Sequence, residues 1–384
     1  MLPRHGTTIR HGDLESTRRS VRHAALSELE HALRTDGWAR IVDDDLAKPT
    51  EELYLAAAPL FANADVCEAH RRDVLEGGSL ALTYLGADEE PLYDSAASKQ
   101  HVHSFNMHEV LTAAECDARL GEHVSYDADE RALAHAYHAW EPSESTQLLR
   151  TAAAALRRAL ATRVCNPLLG AFASLLGLEH SWLVSRCTMG RSDNTSLLRC
   201  LEYPQPSLTQ PSLTGDGEWG VSAHTDFECF SLLHEQMAGL ELCAPDGTWH
   251  VPTPAETPAP GSWVLIVGDM LEILSSGYLV ATPHRVRPTR QAADGPRRSL
   301  VLFQALDEDE ALAPLGGDAA HRAPTGGFRR WWEERREEDA GSQRRERPRP
   351  SASVTRPLTQ REWTEIKENS GLARLRSKTR AETE

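Results

Sequence analysis

The sequence contains no apolar run approaching the ~18 residues that a membrane-spanning helix requires, so no such segment is expected. An excess of basic residues is also lacking. The chain has 41 Lys and Arg against 57 Asp and Glu, which gives a formal net charge of −16 at pH 7. Because phosphate groups are bound by basic surfaces, this balance disfavours nucleic acids and anionic membranes as partners.

Cysteine pairs with CxxC spacing are absent as well. The seven cysteines are odd in number and scattered along the 384 residues, which gives no support for a zinc finger or a disulfide framework. This usage suits a reducing compartment. Residues 1–22 hold several Arg and His but no apolar segment typical of a secretory signal. We therefore expect a cytoplasmic protein, while organellar targeting by these residues stays open.

Helical patterns frame the first half of the chain. Residues 26–33 have the apolar spacing of a helix, and Gly37 is suited to end it before a short strand at 38–42. The longest helical pattern runs over 145–176, and Pro167 is expected to kink or break it. Helices of this kind more often brace a sheet than carry chemistry.

The stretch 221–235, VSAHTDFECFSLLHE, is rich in residues that favour strands. In a strand, residues two apart point to the same face, so His224 and Asp226 would project together. An imidazole and a carboxylate on one face can bind the same metal ion. The best candidate for a third ligand is His284, in ATPHRVRP after a further strand-like run. Two His and one carboxylate, with other positions open, form the facial triad of non-haem Fe(II) oxygenases.

Two other histidine motifs have metal-site spacing without the same context. His11 and Asp13 repeat the His-x-Asp spacing in a polar, Gly-containing segment with no strand pattern, so we attribute that copy to chance. His101 and His103 form a His-x-His pair with no convincing third ligand nearby. For that pair, polar residues of a pocket or of the surface are the favoured interpretation.

The chain beyond Asp226 continues as short strands separated by turns. The motifs, in order, are HTDFECFSLL, GLEL, GSWVLIVGDMLEILSSG, HRV and RRS. Over about 196–306 this series resembles the iron/2-oxoglutarate-dependent dioxygenases of the isopenicillin-N-synthase-like superfamily. The resemblance implies a mixed α/β chain with a mainly antiparallel β core, a double-stranded β-helix (jelly roll) flanked by helices. Short strands with turns independently favour such a core.

On this basis we divide the chain into five segments. They are a flexible N-terminal arm (1–23), a mixed helix and strand region (24–125), a helical brace (126–190), the Fe(II)/2-oxoglutarate jelly-roll core (191–309), and a charged, partly disordered C-terminal segment with a terminal helix (310–384). Dense opposite charges with little apolar face are typical of solvated, partly disordered chain, which is the reason for the last assignment.

The resemblance also implies roles for individual residues. The implied iron ligands are His224, Asp226 and His284. Arg297, followed by Ser299 in an Arg-x-Ser pair, would grip the distal carboxylate of 2-oxoglutarate, because a guanidinium stays charged and offers a bidentate fork. Tyr203 stands where relatives carry a phenol that hydrogen-bonds the same carboxylate. Plant relatives usually carry Asn where this chain has Leu201, so a structural Tyr at a strand end stays an equal alternative.

Segments upstream of the core line the substrate pocket in such relatives. The implied pocket residues are Tyr84, His101, His103 and Phe105. Neither the sizes nor the charges of these side chains name a molecule. The sequence therefore predicts a small organic substrate of the specialised-metabolite type without identifying it, and it does not indicate the oligomeric state.

The implied reaction uses Fe(II), O2 and 2-oxoglutarate as cosubstrate, with ascorbate as a candidate reductant, and releases succinate and CO2. Halogenating relatives lack the carboxylate ligand, so Asp226 favours hydroxylation, desaturation or ring closure. Two alternatives stay open. One is a 2-oxoglutarate-independent non-haem iron oxidase similar to isopenicillin N synthase, and the other is a non-catalytic jelly-roll binding protein.

Overall fold

A computed structural model of the protein describes residues 6–70, 84–86, 89–90, 99–107, 114, 118, 144–189, 194–204, 218–244, 246–252, 261–287, 295–313, 315 and 358–364. Most of the predicted charged C-terminal segment lies outside these ranges. Within them, no helix has the length and apolar character needed to cross a membrane.

The helices mostly precede the strands that form the core. They are α1 (His11–Leu14), α2 (Arg19–Thr35), α3 (Ala47–Phe61), α4 (Ala64–His70), α5 (Glu144–Leu160), α6 (Asn166–Leu175), α7 (Ser181–Val184) and α8 (Asp269–Leu274). A π-helical turn, Ala161–Cys165, joins α5 to α6. Pro167 lies in the first turn of α6, directly after this π-helical turn. The interruption predicted near Pro167 is therefore this π-helical turn.

The strands form two main sheets. The large sheet has the order β1 (Thr8–Arg10), β2 (Trp38–Val42), β12 (Ser262–Val267), β9 (Phe230–Glu235), β14 (Arg297–Gln304), β6 (Leu197–Tyr203), β5 (His103–Met107) and β3 (Tyr84–Leu85). The small sheet has the order β11 (Trp249–His250), β10 (Leu240–Cys243), β13 (His284–Val286) and β8 (Val221–His224). Two further pairs are β4 (Lys99–Gln100) with β7 (Glu218–Trp219), and β15 (Ala311–Leu312) with β16 (Leu358–Thr359). Both main sheets are antiparallel except for the β1–β2 pair.

Two apolar clusters lie on opposite faces of the large sheet. The first fills the space between the two sheets, which we call the barrel interior, and includes Leu201, Leu233, Val264 and Val301 from the large sheet with Leu242 and Val286 from the small one. The second, between the large sheet and the helices, includes Leu232, Leu265, Leu300 and Leu302. Side chains alternate along a strand, so β2, β12, β9, β14 and β6 each contribute to both clusters.

The segment around Gly37 forms as predicted. Helix α2 ends at Thr35, Gly37 has a φ of 81° in the left-handed region, and β2 follows directly. Glycine adopts this conformation without the steric cost that a Cβ would impose. The chain thereby turns from a helix into β2, the second strand of the large sheet.

The predicted flexible arm over residues 1–23 was wrong for its described part. Strand β1 pairs in parallel with β2, and Ile9 is 2% exposed. The Nδ1 atom of His11, in α1, lies 3.4 Å from Asp43 Oδ2. These contacts join residues more than thirty positions apart, so the local polar pattern of the segment does not show them.

A glycine is required at position 268, between β12 and α8, because two backbone segments approach each other closely there. A Cβ at this position would lie 2.1 Å from the Glu228 carbonyl oxygen. We predict that Gly268→Ala lowers the free energy of unfolding by about 1–3 kcal/mol, the usual cost of forcing extra atoms into a packed site. Denaturant unfolding measures the change.

Gly12→Ala is the matched control, because a Cβ at Gly12 meets nothing within 4 Å. An unchanged unfolding midpoint for Gly268→Ala would show that this close approach does not constrain the chain.

Candidate active site

The two histidines of the predicted triad are neighbours across the small sheet. His224 ends β8 and pairs with His284 at the start of β13, and their ring centroids lie 4.2 Å apart. The next pair is Val221 with Val286, so three residue steps on β8 oppose two on β13. An irregularity of this kind re-aims a side chain. It allows His224 to face the barrel interior together with Val221.

Asp226 lies beyond the end of the strand. Because β8 ends at His224, strand alternation does not place the carboxylate, and that part of our interpretation was wrong. The start of α8 holds the loop instead. The backbone N–H of Asp269 donates to the Asp226 carbonyl at 2.9 Å, and that of Met270 donates to the Phe227 carbonyl at 3.2 Å. N–H groups in the first turn of a helix have no partner within it, so the loop carbonyls satisfy them.

The three side chains converge on one point. His224 Nε2 and His284 Nε2 each lie 3.5 Å from Asp226 Oδ1, and one ligand atom from each residue lies within 4.8 Å of the others. With bonds of ~2.1 Å, adjacent ligands of an octahedral ion are ~3.0 Å apart. The donor set therefore fits a metal ion on one face. In the part of the chain that the structure describes, no second group of three His, Cys, Asp or Glu meets this criterion, and His11 and Asp13 belong to none.

The hydrogen bonds of both histidines favour ligation through Nε2. His224 Nδ1 lies 2.7 Å from the Ser222 carbonyl oxygen, and His284 Nδ1 lies 3.2 Å from that of Thr282. A carbonyl oxygen only accepts, so Nδ1 carries the proton and Nε2 keeps a lone pair for a metal. Burial lowers the pKa of His284 to about 4, despite the opposing charge of Asp226, so this imidazole is neutral at physiological pH.

Asp226 is held as a carboxylate in a buried position. Burial by itself raises its pKa, but the neighbouring His284 and His224 and a hydrogen bond from Ser231 outweigh this and lower the pKa to about 2. Ser231 donates from Oγ to Asp226 Oδ2, which leaves Oδ1 beside the imidazoles. Our sequence reasoning missed Ser231. The available signal was a hydroxyl residue at an inward position of the strand that follows the His-x-Asp motif.

Arg297 and Tyr203 lie together in the barrel interior. They pair across β14 and β6, and the guanidinium carbon lies 4.4 Å from the centre of the Tyr203 ring. Arg297 donates from Nε to the Met237 carbonyl at 3.0 Å and from Nη2 to Glu235 Oε2 at 2.5 Å. Among the residues that the structure describes, its buried Nη1 has no hydrogen-bond partner. A buried, charged N–H group without an acceptor is costly, so the site suits an anionic ligand that supplies one.

Two glycines next to small-sheet strands leave room for the side chains of Arg297 and Tyr203. A Cβ at Gly239 would lie 2.6 Å from Arg297 Nε, and one at Gly220 would lie 3.0 Å from the Tyr203 ring. Ser299 lies two residues after Arg297 on the same face of β14 and is buried. The structure thus brings Arg297, Ser299 and Tyr203 to one region of the barrel interior, and their roles toward a cosubstrate stay predictions.

Three predicted pocket residues lie on the opposite, helix-covered face of the large sheet. The Phe105 ring lies 4.8 Å from that of Phe61 in α3 and 5.0 Å from that of Tyr84. The Tyr84 hydroxyl lies 2.7 Å from His103 Nδ1. The assignment of Tyr84, His103 and Phe105 to the pocket is therefore corrected, because alternation along β5 directs these side chains toward the helices. His101 precedes β5, is half-buried, and stays a prediction.

The interior face of β5 and β6 carries other polar residues. Arg199 donates from Nη1 to Glu90 Oε1 at 2.9 Å and from Nη2 to Ser104 Oγ at 2.8 Å. Asn106 pairs with Arg199 across the two strands. Ser104 and Asn106 thus lie on the interior face of β5, where we had expected His103 and Phe105.

Two imidazoles and one carboxylate in the interior of a jelly roll, with a buried arginine on the same side of the sheet, define a class of protein, the facial-triad non-haem iron proteins. Residues 194–305 match the family model of the 2OG-Fe(II) oxygenase superfamily. The resemblance inferred from the motifs is thereby confirmed.

Curated relatives match part of their length. Validamycin A dioxygenase of Streptomyces hygroscopicus subsp. limoneus is 31% identical over 199 residues, which cover 51% of this chain and 49% of that protein. Gibberellin 2-beta-dioxygenase 3 of Arabidopsis thaliana is 32% identical over 124 residues, which cover 32% of this chain and 34% of that protein. The chain therefore spans about half or less of the length of these relatives.

Solved structures confirm the double-stranded β-helix fold. A putative 2OG-Fe(II) oxygenase family protein from Caulobacter crescentus superposes with a TM-score of 0.61 at 22% identity and covers 87% of this chain and 99% of that one. A full-length Neurospora crassa protein in complex with alpha-KG and 5-formyluracil superposes with a TM-score of 0.61 at 16% identity and covers 82% of this chain and 89% of that one.

Ser231→Ala tests the hydrogen bond that orients Asp226. We predict a roughly 10-fold to 100-fold loss of metal affinity, the usual effect of removing a group that orients a metal ligand, with the fold retained. Anaerobic titration with Fe(II) or Co(II) measures the affinity. Ser185→Ala, which removes an exposed hydroxyl bonded to the Trp182 carbonyl, is the control. Equal metal affinities for the two variants would contradict the role of Ser231.

Proposed function

We propose that this chain is an Fe(II)- and 2-oxoglutarate-dependent oxygenase that hydroxylates, desaturates or cyclises a small organic substrate. The observation that carries the proposal is the convergence of His224, Asp226 and His284 in the same barrel interior that holds Arg297, whose buried Nη1 has no hydrogen-bond partner within the described ranges. The first group fits a metal ion, and the second fits a carboxylate.

The chain's own residues would perform three tasks. His224, Asp226 and His284 would hold iron on one face through two imidazole nitrogens and one carboxylate oxygen. Arg297 Nη1, with Ser299 and Tyr203 beside it, would hold the distal carboxylate of 2-oxoglutarate and so fix the orientation of its keto acid toward the metal. The apolar lining of the barrel interior would exclude water from the reacting groups.

Iron and 2-oxoglutarate, when bound, supply the oxidising chemistry, in which O2 is consumed and 2-oxoglutarate yields succinate and CO2. The relatives agree with this class of reaction, because the bacterial and plant proteins are named as dioxygenases of validamycin A and of gibberellin. Validamycin A and gibberellin differ greatly as molecules, so these names support a small organic substrate and do not identify it.

The proposal is tested by anaerobic titration of the Fe(II)-loaded protein with 2-oxoglutarate. We expect a saturable visible charge-transfer band from the chelated keto acid. Arg297→Gln is expected to weaken 2-oxoglutarate binding at least about tenfold, because charge-assisted hydrogen bonds to a carboxylate contribute about 1.5–3 kcal/mol each.

Arg298→Gln is the matched control. Arg298 is the next residue on β14, faces away from the barrel interior, and pairs with Glu202 at 2.7–2.8 Å. Iron binding without a band would sink the 2-oxoglutarate assignment and favour the cosubstrate-independent oxidase. Absence of iron binding would favour the non-catalytic binding protein.

A further inference from the structure

Arg297 is bound by a carboxylate of the chain itself. Glu235, the last residue of β9, accepts from Arg297 Nη2 at 2.5 Å and from the Leu240 backbone N–H at 3.1 Å. Both members of the ion pair are buried, with side-chain exposures of 3% for Arg297 and 6% for Glu235. The carboxylate therefore occupies one edge of the guanidinium and leaves Nη1 for a ligand.

A second arginine, Arg40, is half-buried and lies two strands from Glu235 in the large sheet. Arg40 on β2 pairs with Val264, and Val264 pairs with Leu233. When the pairing of β12 with β9 is continued by two residues from Val264 and Leu233, Ser262 lies opposite Glu235. Arg40 donates from Nη1 to Ser262 Oγ at 2.9 Å.

The pKa shifts of Arg40 and Arg297 agree with this placement. Burial lowers the pKa of Arg40, and the charge of Glu235 partly offsets that effect. Glu235 also raises the pKa of Arg297 against the effect of burial. The carboxylate therefore acts on both guanidinium groups.

The three side chains together carry one net positive charge. A desolvated charge is costly unless an opposite charge compensates it. The single negative charge of the distal carboxylate of 2-oxoglutarate would make the group neutral. Without Glu235 the group would carry two positive charges, and without Arg40 it would carry none before the ligand arrives.

We propose that Arg40 and Glu235 set the charge of the cosubstrate site, so that the site is matched to one singly charged carboxylate. Glu235 is a positioning residue, which fixes the edge of Arg297 and neutralises one guanidinium. Arg40 supplies the remaining positive charge without being part of the Arg-x-Ser pair. This inference rests on the proposed function, since it concerns the carboxylate of 2-oxoglutarate.

The test compares 2-oxoglutarate with its 5-amide, 2-oxoglutaramate, whose distal group is uncharged, in anaerobic titrations of the Fe(II)-loaded protein. Glu235→Gln keeps an acceptor for Arg297 and Leu240 while removing the negative charge. We expect it to tighten binding of 2-oxoglutarate about tenfold, because a charge acts over several ångströms in a medium of low effective dielectric constant. Binding of the amide should change less than about twofold, since an uncharged group feels little of that field.

Arg40→Met makes the opposite change in charge. It is expected to weaken 2-oxoglutarate binding about tenfold with little effect on the amide. The double variant should bind 2-oxoglutarate with nearly the wild-type affinity, because the two charge changes cancel. Should Glu235→Gln fail to fold, as judged by thermal unfolding, Arg40→Met tests the proposal by itself.

Glu202→Gln is the matched control, because Glu202 pairs with Arg298 on the opposite face of the same sheet. Unchanged or weaker 2-oxoglutarate binding in Glu235→Gln, or equal effects on the acid and the amide, would overturn the proposal and leave Glu235 as a structural counter-ion. If the wild-type protein binds iron but gives no band with 2-oxoglutarate, the proposed function fails first. If the wild-type protein gives the band and the variants bind 2-oxoglutarate with unchanged affinity, only this inference is contradicted.

Discussion

The active-site geometry depends on the shifted pairing of β8 with β13. The irregularity between the His224–His284 pair and the Val221–Val286 pair turns His224 into the barrel interior at the point where its strand ends. The chain then leaves the sheet, and the first turn of α8 fixes the loop that carries Asp226. A ligand supplied by a loop is positioned here as firmly as one supplied by a strand, because backbone hydrogen bonds hold it at both ends.

Desolvation gives these side chains their chemical character. In a buried site an imidazole resists protonation, whereas a carboxylate remains charged only if partners stabilise the charge. His284 shows the first effect and Asp226, with Ser231 and the two imidazoles as partners, shows the second. The result is a neutral imidazole at His284 and an anionic carboxylate at Asp226, which with the imidazole of His224 form a donor set suited to a divalent transition metal ion.

The same interior holds three further charged side chains, of which Arg297 and Glu235 form an ion pair. Arg297, Glu235 and Arg40 come from β14, β9 and β2, so three separate parts of the sequence meet there. Arg40 lies well outside the matched residues 194–305. The N-terminal region is thus part of the same sheet and of the same electrostatic environment, rather than an independent support for the core.

Local sequence patterns predicted several elements correctly. Gly37 marked the end of α2, and the short strands with turns indicated a jelly-roll core because each strand carries its own apolar alternation. The order of His224, Asp226, His284, Arg297 and Ser299 along these strands was sufficient to identify the superfamily. Such features depend on neighbours within a few residues, or on motif order, and both are visible in a sequence.

Other features arise between residues far apart in the chain, and the sequence alone could not assign them. A one-residue difference in strand phase decides whether Phe105 or Ser104 faces the barrel interior, and a pattern of mixed polarity in β5 did not fix that phase. Ser231, Glu235 and Arg40 gain their roles only from partners on adjacent strands. By itself the sequence determined which chemistry was available, because ligand types and motif order are written in it. The tertiary structure decided which side chains meet, because strand register and the β8–β13 irregularity set their directions.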